Sequence, residues 1–109
     1  MSVAKCTQSF TGTGTGTFTP AGATGVIIKG EANLSLGGTA PVGTVKLEKS
    51  YDLGATWFDV SQDAAGTLAA WALNSTEVSV LFDEPEADVM YRVNCTAFTG
   101  GTITSRISQ

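Results

Sequence analysis

The chain has 109 residues, of which 42% are hydrophobic, and its 10 acidic and 6 basic residues give a net charge of −4. This length is typical of one domain, and the hydrophobic content excludes an intrinsically disordered chain. The dispersed basic residues argue against a nucleic-acid partner, because phosphate recognition needs clustered Lys and Arg. The chain has no histidine, which removes the usual Ser-His and Cys-His catalytic arrangements.

The N-terminal residues carry no basic stretch followed by a long apolar one. We therefore expect no secretory signal and synthesis in the cytoplasm. No apolar run approaches the roughly 20 residues of a membrane span, so no membrane partner is expected. Cys6 and Cys95 are too far apart for a Cys-x-x-Cys motif, and we expect neither a zinc site nor a cofactor. A reducing cytoplasm favours free thiols, although the sequence leaves open whether the two pair.

The first 19 residues differ in composition from the rest. Residues 11–17 alternate Thr and Gly, with Phe10 and Phe18 on either side. This tract is interpreted either as a flexible loop or as an edge strand, because Gly loses much conformational entropy on ordering. The sequence thus predicts an N-terminal arm or edge strands over residues 1–19 and a β-sandwich domain over residues 20–109.

Residues 26–36 alternate with a period of two, which indicates a half-buried strand. Its predicted buried face consists of Val26, Ile28, Ala32, Leu34 and Leu36. The Gly37-Gly38 pair that follows predicts a turn.

The later segments continue the β pattern. Val45 and Leu47 alternate with charged residues, and residues 57–60 form another predicted strand. Residues 68–73 are compatible with a strand or a helical turn. The remaining predicted strands cover residues 78–82, 91–97 and 103–107, with a turn before Pro85 and a hairpin at residues 99–101.

These signals predict an all-β fold of seven to nine short strands. The expected architecture is one compact antiparallel β-sandwich, jelly-roll or immunoglobulin-like, since helices between strands are not indicated. In the predicted strand of residues 91–97, Tyr91, Val93, Cys95 and Ala97 share one face. The segment around Tyr91 resembles the strand that carries the corner tyrosine of immunoglobulin-like domains.

Residues 50–57 contain the sharpest motif. They match the Asp-box pattern Ser-x-Asp-x-Gly-x-Thr-Trp of sialidase propeller blades at Ser50, Asp52, Gly54, Thr56 and Trp57. An Asp side chain can accept backbone N–H bonds in such a turn, and Gly can adopt positive φ. One copy is too few for a propeller, so the motif is interpreted as a structural turn.

The acidic segment of residues 83–88 has three interpretations. Its oxygens suit Ca²⁺, but the spacing matches no known calcium loop. Glu84 and Glu86 could form the carboxylate pair of a glycoside hydrolase. The favoured interpretation is a charged turn between two strands.

Residues 43–57 and 84–96, with the C-terminal segment of residues 100–109, resemble a family of small structural proteins of tailed bacteriophages. The resemblance implies a non-enzymatic capsid decoration (cement) protein on the virion surface. It also implies the major capsid protein as partner and a homo-oligomer, dimer or trimer. The candidate interface residues are Phe10, Thr13, Thr15, Phe18 and Trp71.

The N-terminal segment or the Thr/Gly tract is a candidate for adding a strand to a neighbouring subunit. Two other functions remain open. One is a tail or fibre module that binds host carbohydrate, or another tail protein, with Trp71 and Tyr51 as an aromatic platform. The other is a small hydrolase that uses Asp or Glu.

Overall fold

The computed structural model describes residues 5–19, 21–61 and 68–109, and every regular element in these ranges is a β-strand. The all-β prediction is therefore confirmed. None of these residues belongs to a helix long and apolar enough to cross a membrane. The strands are β1 (Lys5–Phe10), β2 (Thr17–Thr19), β3 (Val26–Ser50), β4 (Phe58–Asp59), β5 (Ala70–Asn74) and β6 (Val78–Ser108).

All pairings between these strands are antiparallel. The strand order is β2-β1-β6-β3-β4, and β5 also pairs with β3. The two long strands change partners along their length. Residues 26–36 of β3 pair with residues 78–91 of β6, whereas residues 33–50 of β3 pair with residues 90–108. The fold is thus organised around one long, irregular β3–β6 pair.

Both halves of β3 contribute side chains to one apolar core, so the sheet is folded over on itself. The period-two pattern predicted the buried faces of residues 26–36 and of Val45 and Leu47 correctly. The described strands therefore form one compact antiparallel domain. The division of this domain into the two sheets of a sandwich stays a prediction. The largest fully buried apolar side chains are Phe10, Ile28, Leu34, Ile103, Ile107, Val45, Val89 and Val93.

The predicted turn at Gly37-Gly38 and the predicted hairpin at residues 99–101 are wrong. β3 continues through the glycine pair, and the β6 segments on either side of residues 99–101 both pair with β3. A register shift between Thr39 and Val42 marks a bend, where Ala40 and Gly101 have φ of 45° and 74°. A Cβ on Gly101 would overlap the carbonyl oxygens of Thr39 and Ala40. Glycine here permits a bend between paired strands rather than a chain reversal.

The predicted charged turn at residues 83–88 is also wrong. β6 runs through this segment, in which Asp83 and Glu84 pair with β3, and the pairs Ile28–Val89 and Gly30–Glu84 lie on either side of residues 85–88. The extra β6 residues form a bulge in which Asp88 has φ of 64°. Because bulges replace the expected turns, the described residues form six strands and not seven to nine. A register shift between the pairs Thr44–Ala97 and Val45–Cys95 separates Ala97, which is exposed, from the buried Tyr91, Val93 and Cys95.

The N-terminal residues belong to the same sheet and core. β1 lies between β2 and β6, and its Cys6, Gln8 and Phe10 are buried. In the Thr/Gly tract, Gly14 exchanges two backbone hydrogen bonds with Cys95 of β6, of 2.9 and 2.7 Å. Thr7, Gln8 and Ser9 of β1 are paired with β2 on one edge and with β6 on the other, so this part of β1 has no free edge to add to a neighbour. Residues 1–4 of the predicted arm lie outside the described residues.

Candidate functional site

The turn of residues 50–57 is built around the buried hydroxyl of Ser50. This hydroxyl donates to Asp52 Oδ1 at 2.6 Å and accepts the Gly54 N–H at 2.8 Å. Asp52 Oδ1 accepts the Thr56 N–H at 2.8 Å, and Gly54 has φ of 98°. The hydrogen bond from Ser50 and, to a smaller extent, that from the Thr56 N–H hold the pKa of Asp52 below its usual range. The arrangement satisfies the backbone of the turn locally.

Trp57 joins this turn to the outer face of the sheet. Its indole Nε1 donates to the Gly54 carbonyl at 3.0 Å, and the Arg92 guanidinium lies 4.0 Å from the ring centroid. Arg92 is held by Glu48, with Nε 2.8 Å from Oε1. A ring stacked on a cation that is itself ion-paired orders the turn. The five motif residues therefore have structural contacts within the chain.

The candidate interface residues lie in different parts of the sheet. Phe10 is fully buried, so its prediction as an interface residue is corrected: its ring belongs to the core. Phe18 is half-buried against that core, and Thr13 is exposed. The Thr15 carbonyl accepts a hydrogen bond from Gln8 at 2.7 Å. Trp71 lies on β5, which is separated from β1 and β2 by β6 and β3 in the strand order.

Trp71 lines a surface crevice of about 480 Å³. This volume is within the range of small-ligand sites, about 300–1,000 Å³. Tyr51, the second member of the predicted aromatic platform, is outside the lining and packs on Phe58 at 5.9 Å between ring centroids. The lining consists of Leu47, Lys49, Val60, Ser61, Ala69, Trp71, Val80, Leu81, Phe82, Asp83 and Tyr91.

A buried carboxylate lies next to this crevice. Glu84 accepts the Tyr91 hydroxyl at 2.7 Å and the Glu86 N–H at 3.0 Å, and Lys49 Nζ is 3.5 Å away. Burial alone would raise the pKa of Glu84, but these three donors together hold it below its usual range. Burial is the main reason why the pKa of Tyr91 is raised, and the hydrogen bond to Glu84 raises it further. An ionised Glu84 lacks the raised pKa of a glycosidase general acid, and Glu86 is exposed.

The Glu84 contacts predict an acid-sensitive contribution to stability. Its folded pKa is below the unfolded value of about 4.3, so the stabilisation is complete above that value and is lost as the pH falls through the folded pKa. We expect Glu84→Gln to lower the free energy of unfolding by about 2 kcal/mol at pH 7. The variant should also show a smaller loss between neutral and acidic pH, measured by urea unfolding at each pH. Equal acid dependence in both proteins would contradict this assignment.

The two cysteines are free and buried. Burial raises the pKa of both thiols, which is the opposite of what a reactive thiolate requires. In the described part of the chain, no three His, Cys, Asp or Glu side chains converge to hold a metal ion. Glu84 of the acidic segment is directed towards Tyr91 and Lys49 instead.

Sequence reasoning missed Gln8 and Leu81. Gln8 is buried and bonds to the backbone of Val93, 85 positions away, and nothing in the local sequence indicates this. Leu81 did carry a signal: it is an apolar residue on the strand face shared with Ser79 and Asp83. It is 60% exposed and lines the crevice.

In comparisons with known proteins, no family model matches this chain, and no curated protein matches it.

Proposed function

We propose that this protein is a non-enzymatic structural protein of a tailed-phage virion, a decoration protein that binds the outside of the capsid. The observation that carries the proposal is the arrangement of the two segments that resemble phage structural proteins. Residues 45–50 and 90–95 are paired antiparallel partners in the β3–β6 ladder. The Asp-box-like turn continues from this ladder and is attached to it through Trp57 and Arg92. The resemblance thus covers one packed unit.

Other features support the same role. A net charge of −4 suits a protein kept away from packaged DNA. The exposed side chains of Leu53, Phe58 and Leu81 offer apolar area for a partner surface. The proposed partner is the major capsid protein, and symmetric placement on a shell favours a dimer or trimer.

Co-sedimentation tests the proposal. Purified protein is mixed with capsid shells that lack it, at graded salt, and the pelleted protein is counted per shell subunit. We expect saturable binding at a fixed ratio. Protein that stays in the supernatant, or that pellets in proportion to its concentration without saturation, would contradict a decoration role.

A further inference from the structure

One edge of the sheet is open in the described part of the chain. Residues 78–84 of β6 pair with residues 30–36 of β3 along one edge. No other described strand pairs with the opposite edge of this segment. An unpaired strand edge presents alternating N–H and C=O groups and is a template for strand addition.

The crevice lies alongside this open edge. Residues 80–83 are consecutive, and all four line the crevice. Because successive side chains of a strand point to opposite faces, a space that contacts four in a row lies beside the strand and not above one face. The rest of the lining includes Leu47 and Lys49, which lie on the same face of β3, and Trp71 of β5. The open edge therefore projects over one face of the β3–β5 pair.

An added strand would fit this geometry. It would pair with residues 78–84 at the ordinary spacing of about 4.7–4.9 Å, and every second side chain would point at the crevice wall. An apolar side chain there would contact Trp71 and Leu47. Its neighbours would cover Leu81, which is 60% exposed. Strand addition combines main-chain hydrogen bonds with side-chain pockets, which supply affinity and specificity.

The charge at this edge indicates what the added strand carries. Asp83 lies directly opposite Glu31 in the ladder, and both are exposed. Like charges in this position repel, and neither carboxylate has an ion-pair partner among the described residues. A Lys or Arg on the added strand would relieve this repulsion. A second copy of this segment would not, because residues 77–88 contain no basic residue.

We propose that the open edge of residues 78–84 receives an extended strand of the capsid shell protein, with an apolar side chain against Trp71 and a Lys or Arg beside Asp83. The inference rests on the proposed function, which supplies the partner. It places the docking surface on β6 and the crevice, away from the N-terminal tract.

Two matched variants test this surface. Leu81→Lys puts a charge on the open edge, a device that natural proteins use to prevent strand addition. Ile27→Lys makes the same change at another exposed aliphatic residue, 43% exposed on β3, outside the crevice. We expect Leu81→Lys to bind empty shells about tenfold more weakly, a loss of about 1.4 kcal/mol. Ile27→Lys should bind within about twofold of the unmodified protein.

The outcomes separate the two proposals. If all three proteins bind the shells alike, the edge is not the docking surface and the decoration role stands. If the unmodified protein does not bind, the decoration role fails and this inference fails with it. Thermal unfolding checks that both lysine variants are folded. Asp83→Asn provides a second readout: its shell binding should depend less on salt than that of the unmodified protein, and an unchanged salt dependence would overturn the predicted basic contact.

Discussion

Phe10→Ala is expected to lower the free energy of unfolding by about 3–5 kcal/mol, because it removes a large buried ring and leaves a cavity. Phe10 is fully buried at the end of β1, where it pairs with Ile103 of β6. For a small domain, whose total stability is about 5–15 kcal/mol, this loss leaves little margin. Urea unfolding followed by tryptophan fluorescence measures it directly.

Phe58→Ala is the matched control, because the same atoms are removed from a ring that is 51% exposed. We expect it to cost less than about 1 kcal/mol. A loss of stability in Phe10→Ala as small as that in Phe58→Ala would show that the Phe10 ring is not part of the core.

The parts of the fold that sequence reasoning predicted correctly are local. Residues 26–36 have the period of a strand with one buried face, and Val26, Ile28 and Leu34 are buried as predicted. The hydrogen bonds of the Asp-box-like turn join residues no more than four positions apart. Contacts between residues so close along the chain depend mainly on residue type and spacing, and both can be read from the sequence.

The connections between strands were not predictable in the same way. Gly37-Gly38 and Gly100-Gly101 have the composition of tight turns, and glycine suits a turn or a bend equally well. The two are distinguished by pairing across the sheet, here between Thr39 and Thr102. That information is carried by residues more than 60 positions apart. The predicted hairpin at residues 99–101 is wrong because the segments on both sides of it pair with β3 and not with each other.

The crevice could not be predicted either, because residues that are distant along the chain line it. Leu47, Trp71 and Phe82 line it from three different strands, and no spacing along the chain relates them. Trp71 was predicted as an interface residue, and its ring is half-exposed on β5. Its position opposite an open strand edge follows only from the fold, because it depends on where β5 and β6 each meet β3.

Gln8→Ala is expected to lower the free energy of unfolding by about 3 kcal/mol, through lost polar contacts. The Gln8 side chain accepts the Val93 N–H at 2.8 Å and donates to the carbonyls of Val93 at 2.8 Å and Thr15 at 2.7 Å. The Gln8 amide thus bonds to both backbone polar groups of Val93, as a neighbouring strand would. The backbone of Gly14 bonds to both groups of Cys95 in the same way. Without the amide, a buried N–H and a buried carbonyl lose their partners.

Hydrogen exchange at the Val93 amide separates this explanation from a simple loss of packing. In the unmodified protein this amide should exchange slowly, and in Gln8→Ala it should exchange much faster than its neighbours in β6. Gln8→Leu fills most of the volume without the hydrogen bonds, so it should lose nearly as much stability as Gln8→Ala. Ser9→Ala, at the adjacent exposed position of β1, should change neither quantity. Full stability in Gln8→Leu would assign the effect to packing and would contradict a role for the amide in joining β1 to β6.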